Sequence, residues 1–300
     1  MNTYQLTYAQ RLCSDKASNT IADQLISLAV VEIFLGITAF LGNAPIQVAL
    51  HKESSLHPPT KLLLRTLSAS DLCVALIVEP LFAAFLLSLV KERWNICHSI
   101  VNTAFPIGFF FSVVSFLILT VISVDRLLAL LLGLRYRQVV TLKRTWVTVI
   151  TICVLSIIPS TMYFWNENIS KWCGIIVTSL GLLISAFSYT KIFLRLRHHQ
   201  SQIQDHQQQP SLTGQLNIAR YKNAVYSALW LQLILVVCYL PYGIIVQVLS
   251  MIQEFSSTMY LAAYIALTLG FLNSSLNPIL YCWKIREVRQ AVKDTVRHML

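Results

Sequence analysis

The sequence predicts an all-α protein: a bundle of seven transmembrane helices followed by a short amphipathic eighth helix. Three observations predict it. Of the 300 residues 56% are hydrophobic and only 12% charged, whereas a soluble domain carries about 25% charged residues. A surface so poor in charge would leave large apolar patches in water. The apolar residues also gather into runs near 24–50, 62–90, 98–131, 145–165, 174–196, 223–250 and 258–283, each long enough to cross a bilayer core at about 20 residues per helix. Finally, the polar breaks between runs alternate in charge. Lys52, Lys61, Arg135, Arg137, Lys143, Arg144, Arg195, Arg197, Arg220 and Lys222 follow the odd-numbered runs, and Lys284, Arg286, Arg289, Lys293 and Arg297 follow the last. The other side holds only Arg11, Lys16, Lys91, Arg93 and Lys171.

This division gives the domain organisation. Residues 1–23 form an outer amino terminus, 24–283 the seven-helix domain, and 284–300 the eighth helix with a short tail. Positive charge is retained on the cytoplasmic side, so the amino terminus is placed outside and the carboxyl terminus inside in a multi-pass membrane protein. The same distribution explains the net charge of +10 without nucleic acid, because the bases sit at span ends and not on one polar face. The runs are too long and too continuously apolar for barrel strands, which alternate with period two. No apolar core with a small-residue cleavage site precedes the first run, so that run is expected to act as the insertion signal.

Inside a span each polar side chain needs a reason. Asp71 lies near the middle of the second run, with Asn43, Ser115, Asn273 and Asn277 at similar depth. A carboxylate among amide and hydroxyl oxygens reads either as a small-cation site or hydrated polar network, or as hydrogen-bonded glue between helices. Asp125-Arg126 ends the third run at the cytoplasmic side. Pro278 in the last run and Pro241 in the sixth each remove a backbone donor and make a kink, which suits a bundle that moves. No cofactor is expected beyond such a cation. No internal repeat or continuous charged pathway favours a transporter or channel. No nucleophile–base pair or metal set at membrane depth favours an enzyme. The His- and Gln-rich stretch from His198 to Gln209 reads as a solvated cytoplasmic loop.

Taken in order, Gly42-Asn43, Leu67-Ser68-Ala69-Ser70-Asp71, Ser123 before Asp125-Arg126, Pro241, and Asn273-Ser274-Ser275-Leu276-Asn277-Pro278-Ile279-Leu280-Tyr281 resemble the rhodopsin-like, class A G-protein-coupled receptors over residues 24–297. The resemblance implies a place in the plasma membrane and roles at matching positions. Asn43, Asp71, Ser115, Asn273 and Asn277 would form the sodium-binding polar network. Asp125, Arg126, Tyr189, Tyr239, Pro241, Pro278 and Tyr281 would carry activation and coupling, with Arg126 meeting a heterotrimeric G protein and Tyr189 and Tyr281 turning inward. Cys97 and Cys173 would form a disulfide, leaving Cys13 over, and Asn168 in Asn168-Ile169-Ser170 would be glycosylated. The eighth helix would lie on membrane lipid with Ile285, Val288, Val292, Thr295 and Met299 on one face.

Several positions depart from the family pattern. Leu127 follows the Asp-Arg pair in place of tyrosine, Tyr239 replaces the sixth-span tryptophan, and Gly181 stands near the missing fifth-span proline. No acid lies near Tyr221 to lock Arg126, and Cys97 is one helical turn further from Arg126 than usual. Gly108, eighteen residues before Arg126, occupies the place of the aspartate of amine receptors, and Phe271 that of the retinal-binding lysine of opsins. The expected ligand is therefore an extracellular small molecule, lipid or short peptide. Glu79, Asn102, Gly108, Tyr242, Gln247, Tyr264 and Phe271 are the pocket candidates, Glu79 facing either a cationic ligand or a polar neighbour. The weak likeness within the family is to the melanocortin, adenosine and lysophospholipid receptors. A receptor-like protein that no longer signals is the alternative.

Overall fold

A computed structural model describes residues 12–13, 20–52, 56–206, 230, 233–245, 247–248, 252, 256–284 and 286–299. Its helices are α1 (Ala22–Lys52), α2 (Pro58–Val90), α3 (Trp94–Leu132), α4 (Leu142–Met162), α5 (Glu167–His206), α6 (Leu233–Ile245), α7 (Ser257–Lys284) and α8 (Arg286–Met299). Six are long and apolar enough to span a bilayer and α6 is a shorter apolar helix. No strand occurs among the described residues. The surface is inverted relative to a soluble protein: Phe34, Leu41, Leu76, Leu183, Phe187 and Ile279 face outward, while Asn43, Asp71, Ser115, Ser123 and Asn277 are buried. Lipid solvates apolar side chains at no cost, so the packing interior takes the polar groups that need partners.

Local chemistry sets the element ends. Before α2, the His57-Pro58-Pro59 stretch places proline in the first turn, where its missing N–H costs nothing. In the middle of α2, Pro80 cannot donate to the carbonyl four residues back. The helix widens to a π-turn over Val74–Val78, and the Glu79 N–H reaches the Val74 carbonyl. One extra residue turns every later side chain by about 100° relative to an unbroken helix, which sets the face on which Glu79 emerges. Gly133 adopts φ 50° just past α3, a conformation that favours glycine, and a short turn through Tyr136–Val139 follows. Asn166 caps α5 by accepting from the N–H groups of Asn168 and Ile169 at 3.1 and 3.3 Å.

Helix α5 both begins and ends inside its expected breaks. The break before the fifth span shrinks to the turn at Tyr163–Asn166, and α5 continues through the His/Gln stretch as far as His206. Polarity marked where the chain leaves lipid; it did not mark where the helix stops. The rest of that stretch, with Arg220, Tyr221 and Lys222, lies outside the described residues.

Two apolar layers hold the bundle. One unites Leu25, Phe82, Phe85, Val101, Tyr264 and Phe271; the other unites Ile46, Leu63, Phe116, Ile118, Leu235 and Val288. Between them runs a polar belt along α1, α2, α3 and α7. Helix α1 is clasped to α7 by Asn43 Nδ2, which donates to the Ser274 carbonyl at 3.0 Å. Thr38 and Ser275 share a 3.0 Å hydroxyl contact, and Ser275 Oγ donates to the Leu35 carbonyl. Gly42 makes that approach fit: a Cβ there would stand 2.7 Å from Pro278 Cγ. Helix α8 packs Val288 and Thr295 inward while Arg289, Lys293 and Arg297 stay exposed. The side chains of Ile285 and Met299 lie outside the described residues.

Candidate functional site

The belt converges on Asp71. Its Oδ1 accepts from the Ser115 hydroxyl of α3 at 3.0 Å and from the Ser274 hydroxyl of α7 at 2.9 Å, and its Oδ2 from Asn277 Nδ2 at 2.8 Å. Three helices thus share one carboxylate, and each donor aims at the charged form. Asn273 does not reach Asp71: its Nδ2 donates to the Tyr239 hydroxyl at 3.3 Å. Asn43 sits one bond further out, joined through the Ser274 carbonyl. The amide oxygens of Asn43, Asn273 and Asn277 are buried and have no protein partner. Oxygen acceptors around a carboxylate are the donor set that a hard cation takes. Ser274 is the member that sequence reasoning missed; its place within Asn273-Ser274-Ser275 was legible, but not which hydroxyl faced α2.

At the carboxyl-terminal end of α3, away from the belt, Asp125 and Arg126 part company. Asp125 is buried and accepts from the Tyr136 hydroxyl at 2.6 Å and from Thr60 Oγ1 at 3.4 Å. It ties α3 to α2 and to the turn after α3. Arg126 is exposed. Ser123 donates to the Tyr189 hydroxyl at 2.9 Å, joining α3 to α5. Tyr239 is buried and packs edge-on against Phe116, ring centroids 4.8 Å apart, so the altered sixth-span position still presents an aromatic ring to α3. Pro241 lies within α6 and Pro278 within α7. The side chain of Tyr281 lies outside the described residues.

On the opposite side of the belt a cavity of about 240 Å3 opens between α2, α3, α5, α6 and α7. Phe105, Phe109, Val113, Phe116 and Phe271 give it an apolar wall, with Ser112, Tyr242 and Tyr264 among them and Asn168 and Lys171 at one end. Gly108, Tyr242, Tyr264 and Phe271 therefore stand where pocket candidates were expected. Glu79, Asn102 and Gln247 are not among its described lining residues. Asn102 lies on the exposed face of α3, and Glu79 is turned toward α1. Gly181, at the place of the absent proline, brings α5 against α3, since a Cβ there would fall 2.3 Å from Phe116 Cε1.

The disulfide differs from expectation. Cys97 is bonded to Cys13, and Cys173 is free. Two features exclude the expected bridge: Cys173 lies within α5, not in a loop, and the one-turn displacement of Cys97 brings it to the amino-terminal segment. Leu12 and Cys13 are buried, and Leu12 lines the cavity. The bridge therefore holds a piece of the amino terminus over the pocket. Asn168 is exposed in the first turn of α5, as a glycosylation acceptor must be.

With this geometry in place, comparison with known proteins assigns the class. The profile of the 7 transmembrane receptor (rhodopsin family) matches residues 42–178 and 163–281. The chain belongs to that family: it is a multi-pass G-protein-coupled receptor, and the family is one of receptors, not enzymes. Among its relatives are the probable G-protein coupled receptor 45 of Mus musculus (24% identical, over 91% of this chain and 83% of the relative) and the high-affinity lysophosphatidic acid receptor of Xenopus laevis (24%, over 88% and 80%). Another is the adenosine receptor A2a of Homo sapiens (27%, over 90% and 72%).

Proposed function

We propose that the chain is a plasma-membrane receptor, amino terminus outside, that binds an extracellular small molecule or lipid with a largely apolar body and activates a heterotrimeric G protein through Arg126. The cavity carries the ligand reading. Its phenylalanine-rich wall favours apolar contact, and Lys171 at one end offers a polar contact to a head group. The named function of the Xenopus laevis relative, a receptor for lysophosphatidic acid, agrees with an amphiphile. Coupling follows from differential affinity: the ligand shifts the bundle only by as much as it binds one arrangement better. The proline-containing α6 and α7 frame the cavity and are the elements that such a shift would move.

Asp71 with the free amide oxygens of Asn43, Asn273 and Asn277 fits a sodium ion. The ion would neutralise the carboxylate between α2, α3 and α7 and favour the arrangement in which the three helices stay together. The same residues serve as polar glue when no ion is bound. Glycosylation at Asn168 belongs to the same outward-facing side.

The test uses receptor in nanodiscs and a panel of single-chain phospholipids and nucleosides, with melting temperature as readout. A bound ligand at about 100 times its Kd adds roughly 2.7 kcal/mol, and a clear rise is expected with an amphiphile. Ser112→Phe, which puts a ring into the cavity, is expected to abolish that rise. A rise that survives Ser112→Phe would place the ligand elsewhere.

A further inference from the structure

Two buried carboxyls belong neither to the cavity lining nor to the Asp71 hydrogen bonds. Glu32 of α1 and Glu79 of α2 are both fully enclosed. Glu32 Oε1 accepts a hydrogen bond from the Thr268 hydroxyl of α7. Its Oε2 has no partner, and neither has either oxygen of Glu79. The Glu79 carboxyl is aimed at α1: a Cβ added to Gly36, one turn beyond Glu32, would lie 2.9 Å from Glu79 Oε2. Glu32 and Gly36 are both buried and lie one turn apart on the same face of α1, so both carboxyls sit in the seam between α1 and α2.

Among the described residues, the groups facing this pair supply no positive charge. On α2 they are Glu79 itself and Asp71; on α1, Glu32; on α7, Thr268 and, one turn away, the buried Tyr264 phenol, whose oxygen has no partner. The described bases of these helices and of α3 sit toward their ends: His51, Lys52, Lys61, Arg65, His98 and Arg126. Two unpaired anions side by side in a membrane interior are too costly to persist. A metal ion would need about six or more oxygen ligands and room for them. Here the helix backbones meet closely, the Ala75 carbonyl lying 3.2 Å from the same Gly36 position. A proton needs no volume, and it turns one acceptor into the donor that the other oxygens lack.

We propose that Glu32 and Glu79 form a proton-binding site, in which one proton taken from water is held between the two carboxyls and fastens α1 to α2 beside α7. The proton bonds to one carboxylate oxygen, and that O–H donates to the other carboxyl; no other bond changes. The folded bundle keeps a proton that the separated, solvated carboxyls release, so receptor stability falls as pH rises.

The experiment is infrared spectroscopy of the full chain in nanodiscs near neutral pH, comparing wild type with Glu79→Gln, Glu32→Gln and, as control, Asp71→Asn. The wild type is expected to show a protonated carboxylic C=O band that either glutamine variant removes and the control keeps. Glutamine is nearly isosteric, so the variants are expected to fold. Melting measured at about pH 6 and about pH 8 provides the second readout: wild type loses stability at the higher pH and Glu79→Gln does not. A band absent from wild type, or unchanged in both glutamine variants, overturns the proposal. So does stabilisation of wild type by sodium or calcium ions that Glu79→Gln abolishes, because a metal ion would then hold the place of the proton.

Discussion

Replacing Asp71 with alanine is expected to destabilise the bundle by roughly 2–4 kcal/mol, and replacing it with asparagine by much less. Alanine strands the Ser115 and Ser274 hydroxyls and the Asn277 amide at once. Each unsatisfied buried donor costs about 1–3 kcal/mol, offset where a serine hydroxyl finds the carbonyl one turn back. Asparagine keeps one acceptor oxygen and the volume. Sodium separates glue from ion site: raising sodium chloride against an organic-cation chloride at equal ionic strength is expected to raise the melting temperature of wild type and leave that of Asp71→Asn unmoved. Equal responses in the two proteins would reduce Asp71 to a structural contact.

The second large effect concerns cysteine. Cys13→Ser and Cys97→Ser are each expected to lower stability by about 2–4 kcal/mol, the usual worth of a disulfide. The double variant should lose no more than either single one, because the two residues form one bond. Cys173→Ser, at a free and partly exposed thiol, should lie within about 0.5 kcal/mol of wild type, as surface changes do. Freeing Leu12 from the cavity should also speed ligand release. If Cys173→Ser were the damaging variant, the amino-terminal staple would be wrong and the bridge to α5 right.

The contrast between these two sites shows what the sequence carried. The spans, their order and the convergence on Asp71 were legible because the bilayer imposes length and polarity rules on each segment separately. Pairings were not legible, because they depend on how segments meet. Cys97 and Cys13 are 84 residues apart, and only the packing of the amino terminus over α3 brings them together. Asp125 next to Arg126 suggested mutual compensation; in the fold successive helical residues point apart, so Asp125 turns inward to Tyr136 and Thr60 while Arg126 faces out. Glu32 was the clearest missed signal. A lone acid in Val31-Glu32-Ile33 demands a partner at its depth, but its partners lie on α2 and α7. The π-turn before Pro80 decided which way Glu79 faced, and a π-turn has no reliable sequence mark.

The central claim, that this bundle transmits a signal to a G protein through Arg126, is tested most directly by nucleotide exchange on purified heterotrimers. Wild type and Arg126→Ala would be compared in nanodiscs, with an amphiphile that raises the melting temperature. Wild type is expected to accelerate exchange on at least one heterotrimer, and Arg126→Ala to lose at least about tenfold of that rate, equivalent to roughly 1.4 kcal/mol, while keeping the ligand-induced rise in melting temperature. Equal exchange by the two proteins, or none above empty nanodiscs from either, would contradict the account and leave a ligand-binding membrane protein that does not signal by this route.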